Sequence, residues 1–358
     1  MKNLLLADIE AQGDDLVRVV DHLYGAERGK IEAAARFLDN QRPTVFIGVA
    51  SAEFVCMPAV VELGRKGRLA SVLGAADALY SYLPALREAN VVINTRSGET
   101  VEVVKLGKAL VESKIPFVAV TNEPESTLAK MAKHVIWAKT RKDELVSINV
   151  VSGMMTATLV LAAAILGELE TRKDEFAAMA AEMRGVVKQS RQRAGEMLDL
   201  FAGIRPIYLL YRAQMSGAAF CGRLVLEEVS RSPAIAMEAA EFRQGPNEVV
   251  DEEFGAVVFV PEGKQGELNL ALGNDILRSG GRVMLVGNIS KNALDGAGGR
   301  SLVFPIPEVS GALQSVLAVV PLQLLAFERA TAKGLEPGQV RYISKVILSE
   351  EGIPNQAN

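Results

Sequence analysis

The feature that most constrains this chain is an alternation that runs once and then starts again. In the first half, apolar runs of strand length at 44–49, 91–94, 116–120 and 134–137 alternate with segments of helical spacing. In the second half, runs at 206–210, 256–260, 282–286 and 302–305 alternate with helical segments in the same order. The run at 282–286 ends in Gly287-Asn288 as the run at 116–120 ends in Thr121-Asn122, and 302–305 matches 134–137. Strands separated by helices dictate a parallel sheet covered on both faces. The expectation is therefore an α/β protein of two tandem, doubly wound, flavodoxin-like parallel-sheet domains.

The helical segments set the boundaries. Residues 1–40 read as amphipathic helix. Ala50-Ser51-Ala52 turns into a helix that continues through Val60-Val61-Glu62-Leu63, and further helices are expected at 97–113, around Leu128 and Met131, at about 215–229 and at 265–277. Residues 150–200 are rich in Ala, Glu, Met and Lys, with Gly153, Gly167 and Gly185 as weak interruptions, and read as a closing helix followed by a helical linker. The expected division is an N-terminal helical segment at 1–40, a first domain at 41–170, a linker at 171–200, a second domain at 201–340 and a tail at 341–358.

Function is concentrated in the turn Thr95-Arg96-Ser97-Gly98-Glu99-Thr100, between the apolar run at 91–94 and the helix after it. A helix N-terminus presents unpaired N–H donors and the positive end of the macrodipole, which suits a phosphate. Gly98 allows close backbone approach, and Thr95, Ser97 and Thr100 add hydroxyl donors. The competing interpretation is that Ser97 or Thr95 only caps the helix. The equivalent turn in the second half, Pro261-Glu262-Gly263-Lys264-Gln265, has no hydroxyl at all. A mere cap should recur in both copies, so restriction to one favours a single phosphate site per chain. Ligands of open α/β sheets bind at the carboxyl ends of the strands, where this turn lies.

Composition excludes several classes. The net charge of −4 favours neither nucleic acid nor an anionic membrane as partner. The apolar stretch from Met154 to Leu166 is short, contains Thr156 and Thr158, and meets Glu168. The N-terminus meets Asp8 and Glu10 too early for a signal peptide, so a cytoplasmic location is expected. Cys56 and Cys221 read as free buried thiols. His22 and His134, the only two histidines, have no partner at metal-ligand spacing, and neither a metal nor a cofactor is expected.

These residues resemble a known family. The Ser-Gly-Glu-Thr turn, the Ser126-Thr127-Leu128-Ala129 run, Glu241-Phe242-Arg243-Gln244-Gly245-Pro246 and a C-terminal Ser344-Lys345 are similar to tandem sugar isomerase (SIS) domains. Such domains form the isomerase half of glucosamine-6-phosphate synthase, amino-sugar-phosphate isomerase/deaminases and fructosamine-6-phosphate deglycases. The resemblance runs from about residue 25 to the end. It implies a phosphorylated sugar as substrate, a homodimer with the active site completed across the subunit interface, and phosphate held by Thr95, Arg96, Ser97 and Thr100. By the same resemblance Ser51 contacts sugar hydroxyls, Glu228 is the catalytic carboxylate and Lys345 reaches the site from the tail. A glutaminase domain is not expected, since no N-terminal nucleophile cysteine is seen before the repeat, and ammonia transfer from glutamine is not implied.

Departures from the family bear on the chemistry. Gln244 stands where the family usually has a histidine credited with ring opening or acid catalysis, and glutamine cannot exchange a proton near pH 7. Arg96 stands where glutamine is often found, Asn149-Val150-Val151 replaces a Ser-Thr-Lys, and Tyr211-Arg212-Ala213 replaces a Gly-Arg-Gly. Moving a carbonyl between C1 and C2 needs one base to lift the C2 proton and return it to C1. Glu228, flanked by Leu224, Leu226 and Val229, suits that role, and Lys345 could stabilise the oxyanion or form a Schiff base. Two classes follow: an isomerase, deaminase or deglycase, and a sugar-phosphate-binding protein whose catalysis is lost.

Overall fold

Strand positions follow from burial. β1 (Thr44–Gly48), β3 (Asn90–Thr95) and β4 (Phe117–Thr121) are buried at every position, as central strands of a sheet covered on both faces must be. β2 (Ala70–Gly74) and β5 (His134–Trp137) are mostly half-buried. All five run parallel in the order β2-β1-β3-β4-β5. The computed structural model describes residues 3–290, 293–294, 299–342 and 346–351.

The second sheet repeats this order. β6 (Ile207–Tyr211), β7 (Ala234–Glu238), β8 (Gly255–Val260), β9 (Arg282–Gly287) and β10 (Ser301–Pro305) are parallel and ordered β7-β6-β8-β9-β10, the first sheet's numbering advanced by five. The repeat extends to backbone strain. Ala50 (φ 51°) and Ala213 (φ 46°) each stand two residues past the first strand of their sheet, in a conformation that non-glycine residues seldom adopt. Each sheet packs its own core, with Ile47, Ile93, Leu106 and Phe117 in one and Leu210, Phe242, Val258 and Leu285 in the other.

The chain divides into two compact units: Asp14–Ala180 with Val340–Asn358, and Met1–Gly13 with Ala181–Gln339. The N-terminal segment is two helices, Leu4–Tyr24 and Arg28–Leu38. Residues 150–200 form Asn149–Ile165, Lys173–Gln192 and Ala194–Leu200, and the main break includes Gly167 at φ +73°. The second of these helices passes from one unit into the other at residues 180–181. Gly311–Ala332 is long and apolar enough to cross a membrane by length and composition, but its most apolar stretch is 94% buried inside the protein.

β2 and β7 were not expected from the sequence. Both flank the first strand of their sheet at an edge, hydrogen-bonded on one side only; β2 has only Val72 and Leu73 between small residues, and β7 is a short Ala-Ile-Ala-Met run directly after Pro233.

Candidate functional site

In the first sheet the connection after β1 leads outward to β2, while the connection after β3 leads the other way to β4. The crevice at the carboxyl ends of β1 and β3 is thus the topological switch point, where open α/β sheets take their ligands. The two strands pair directly, Ile47 beside Ile93. Ser51 opens the helix Ser51–Phe54 after β1, and the turn 96–100 follows β3, so Ser51 and the turn flank one crevice. The chain reverses so tightly after β1 that a Cβ on Gly48 would lie 2.4 Å from the Glu53 nitrogen.

The hydroxyls of the turn do not cap the helix Val101–Glu112. Thr95 Oγ1 accepts from the Gly98 N–H at 3.1 Å and Ser97 Oγ accepts from the Glu99 N–H at 3.2 Å, so both shape the turn itself. Thr100 occupies the N-cap position and makes no side-chain cap. Among the described residues no hydrogen bond engages the Ser97 or Thr100 backbone N–H or the Thr100 hydroxyl. Gly98 has φ +66°, and a Cβ there would come within 2.0 Å of Ser126 Oγ. Ser126 in turn accepts from the Ala129 N–H and caps the helix Thr127–Met131. The Ser126-Thr127-Leu128-Ala129 run thus buttresses the turn: Leu128 N–H also donates to the Gly98 carbonyl at 3.1 Å and Thr127 N–H to Glu99 Oε1 at 2.7 Å.

Arg96 and Ser97 line a cavity of about 180 Å³, with Asn122, Lys142 and Asp143 around it. Arg96 is half-buried and directed inward, its Nη1 donating to Ser147 Oγ at 3.1 Å. Lys142 pairs with Glu123 at 2.8 Å in an exposed position. Asp143, which the sequence reading missed, is buried. Its carboxylate accepts from the backbone N–H groups of Ile148, Asn149 and Val150 at 2.8–3.0 Å and from Asn149 Nδ2 at 2.7 Å. The N-terminus of the helix Asn149–Ile165 is therefore already neutralised by an internal anion, whereas the turn at 96–100 is open to an external one. Free N–H groups, hydroxyls and a guanidinium around a cavity can hold a phosphate by charge-assisted hydrogen bonds.

The tail lies against this turn. The Val101 N–H donates to the Ile347 carbonyl at 3.0 Å, Val346 borders the cavity, and Glu350 accepts from Tyr80 Oη at 2.8 Å and pairs with Lys105. These two partners, Lys105 foremost, hold the Glu350 carboxyl below the usual carboxylate range. Ser344 and Lys345 lie outside the described residues.

The equivalent crevice of the second sheet, between β6 and β8, is filled by the chain's own charges. Glu262 Oε1 accepts from the Gly311 N–H at 3.1 Å. Arg212 donates to Asn269 Oδ1 at 2.8 Å and to Glu238 Oε1 at 3.1 Å. Glu238 also accepts from the Ala240 and Glu241 N–H groups.

Glu228 and Gln244 both belong to this second unit and are not brought together there. Glu228 is half-buried in the last turn of the helix Ser216–Ser230, which leads from the carboxyl end of β6 back to the start of β7. Its neighbour Glu227, on the exposed face, accepts a hydrogen bond from the backbone of Ala234, the first residue of β7. Gln244 is exposed and follows the helix Ala239–Phe242 at the other end of β7. The five residues of β7 separate the two positions by about 17 Å of strand. Glu228 also raises the buried Cys221 thiol, which burial above all pushes up to about 12.

Residues 37–164 match the family described as the SIS domain. The chain is 26% identical over 356 residues to the glutamine–fructose-6-phosphate aminotransferase (isomerizing) of Pyrobaculum aerophilum, covering 97% of this chain and 58% of that protein. The chain thus spans little more than half the length of this curated relative. Its fold is that of the tagatose-6-phosphate ketose/aldose isomerase of Escherichia coli (TM-score 0.79, 17% identity, 94% and 95% of the two chains). It is also that of the glucosamine-6-phosphate deaminase of Thermotoga maritima (TM-score 0.74, 20% identity, 96% and 99%). The resemblance carried by the sequence motifs is borne out by these matches.

Proposed function

We propose that this chain, whose residues 37–164 form a SIS domain, is a phosphosugar isomerase acting on an amino-sugar phosphate or a related ketose or aldose phosphate. The observation that carries this reading is the open turn at the switch point, with unengaged N–H groups, hydroxyls and Arg96 around one cavity. In this reading residues 41–170 and 201–340 are tandem SIS domains. Thr95, Arg96, Ser97 and Thr100 hold the phosphate, and Ser51 meets the sugar hydroxyls. Glu228 lifts the C2 proton and returns it to C1 through an enediol or enolamine, and Lys345, carried by the tail, stabilises the oxyanion.

The reading requires a homodimer. Glu228 and Gln244 stand at opposite ends of β7, so a site that uses both takes Gln244 from a second copy. Sedimentation should give a dimer at micromolar concentration, and a stable monomer would refute this part.

A specific residue supports a second reading. Gln244 has no titratable proton, which fits a substrate that arrives with its ring open, as in a deglycase, or a sugar-phosphate-binding protein without catalysis. Purified protein should be assayed on glucosamine 6-phosphate and on a fructosamine 6-phosphate conjugate. Turnover of the first supports isomerase or deaminase chemistry and of the second alone a deglycase. Binding without turnover of either refutes the enzyme.

A further inference from the structure

The opposite end of the first sheet carries a second cavity, of about 240 Å³, at the start of its strands. Three cations from three separate segments border it: Arg42 just before β1, Arg87 just before β3, and Lys114 just before β4. Two of them are held in place by the backbone. Arg42 Nη1 donates to the Arg87 carbonyl at 3.2 Å and Arg87 Nη1 to the Ser113 carbonyl at 3.1 Å. Each guanidinium has five N–H donors, so each keeps others for a ligand. The loop that carries Arg42 is pinned by the buried Asn90, whose amide donates to the Leu38 carbonyl at 2.9 Å and accepts from Asn40 Nδ2 at 2.8 Å. Phe37 and Ile115 supply an apolar wall.

Among the described residues neither Arg42, Arg87 nor Lys114 pairs with a carboxylate. The positive field extends further. The ring of Phe37 meets His134 at 5.3 Å, and His134 is held below the usual histidine range by burial first and then by Lys133 and Arg36. The convergence of three exposed cations in a chain of net charge −4 makes this a local positive patch.

We propose that this amino end of the sheet is a second anion site, which takes a small ligand carrying two phosphoryl groups between Arg42, Arg87 and Lys114. Three cations on three segments exceed what one phosphate needs and match a diphosphate, each phosphoryl group meeting a guanidinium fork. The site is distinct from the turn at 96–100, which lies at the far end of β3, six residues or about 20 Å away along the strand. It does not rest on the reaction proposed above.

The test is a calorimetric titration with inorganic pyrophosphate. Wild type should bind it saturably, with affinity that falls as ionic strength rises. Lys114→Asn removes one charge with a residue that tolerates the left-handed backbone here, φ 57°, and should weaken binding several-fold. Adding Arg87→Gln should bring the loss to tenfold or more. In the Ser97→Ala/Thr100→Val background, where the turn at 96–100 is impaired, saturable pyrophosphate binding should persist and should still weaken several-fold on adding Lys114→Asn. No saturable binding by wild type, unchanged affinity in Lys114→Asn, or loss of binding in the Ser97/Thr100 variant would each overturn the proposal.

Discussion

Replacing Gly98 by alanine tests both the backbone and the purpose of the turn. Two costs can be worked from the structure. At φ +66° the new Cβ strains the backbone by about 1–2 kcal/mol. It also comes within 2.0 Å of Ser126 Oγ and 2.5 Å of Ser126 Cβ. Ser126 must move away, and the cap it gives the helix Thr127–Met131 is lost at about 0.5–2 kcal/mol. The expected destabilisation is about 1.5–4 kcal/mol. Trp137, the single tryptophan, sits in β5 of the same unit, with Nε1 donating to the Asn122 carbonyl at 3.2 Å. Urea unfolding followed by its fluorescence therefore reports on this unit. In a Ser126→Gly background the clash partner and the cap are already gone, so Gly98→Ala should cost only the backbone strain, about 1–2 kcal/mol. Phosphosugar affinity should fall in both backgrounds because the turn is displaced. An equal cost in the two backgrounds, or a cost below the roughly 0.5 kcal/mol of an ordinary surface change, would refute the reasoning.

Ser97→Ala with Thr100→Val should weaken phosphosugar binding by about 1–3 kcal/mol, the worth of hydrogen bonds to a charged ligand, and an unchanged calorimetric affinity would remove the turn from the site. Glu228→Gln keeps the size of the side chain and removes its basicity, so turnover should fall by roughly 100- to 10,000-fold while binding survives; full activity on every substrate would eliminate it as the base. Gln244→His should raise turnover of a cyclic amino-sugar phosphate more than of an open-chain conjugate, and equal effects on the two would refute a ring-opening role for that position. Because Glu350 is held low by Lys105 and Tyr80, tail docking is at full strength above the ordinary carboxylate pKa and is lost as pH falls through the depressed value. Exchange of the Val101 amide should accordingly quicken below about pH 4, and at neutral pH in Glu350→Gln; an amide equally protected in that variant would refute the clamp.

Residues whose role is set by their neighbours in sequence were legible, and residues whose role is set across the fold were not. The central strands announce themselves because both their faces are covered, as in Val91-Val92-Ile93, every one fully buried. The edge strand Ala70–Gly74 presents Ala, Ser and Gly and stays half-exposed, so its pattern is that of a loop. The turn at 95–100 was found because its hydroxyls and glycine are contiguous. Asp143 was missed because its role as an internal anion depends on a chain reversal that brings it to Ile148, Asn149 and Val150. The hold of Tyr80 and Lys105 on Glu350 spans 270 and 245 residues, a contact no local pattern encodes. Glu228 and Gln244 are only 16 residues apart in sequence, yet β7 separates them, a distance that the sequence does not display.

Glu262 has a further consequence. In the second unit the crevice at the switch point contains an anion that is part of the chain, fixed to the Gly311 N–H; in the first, the corresponding turn depends on one from solution in the proposed reading. Folding of the first unit is then linked to ligand activity, gaining RT ln(1 + [L]/Kd), about 2.7 kcal/mol when the ligand stands at a hundred times its Kd, while the second unit carries its crevice anion whether or not ligand is present. Two sheets of one topology thus have different thermodynamic dependencies in the proposed reading. In that reading the occupied state of the first crevice depends on the supply of phosphosugar, and that of the second does not.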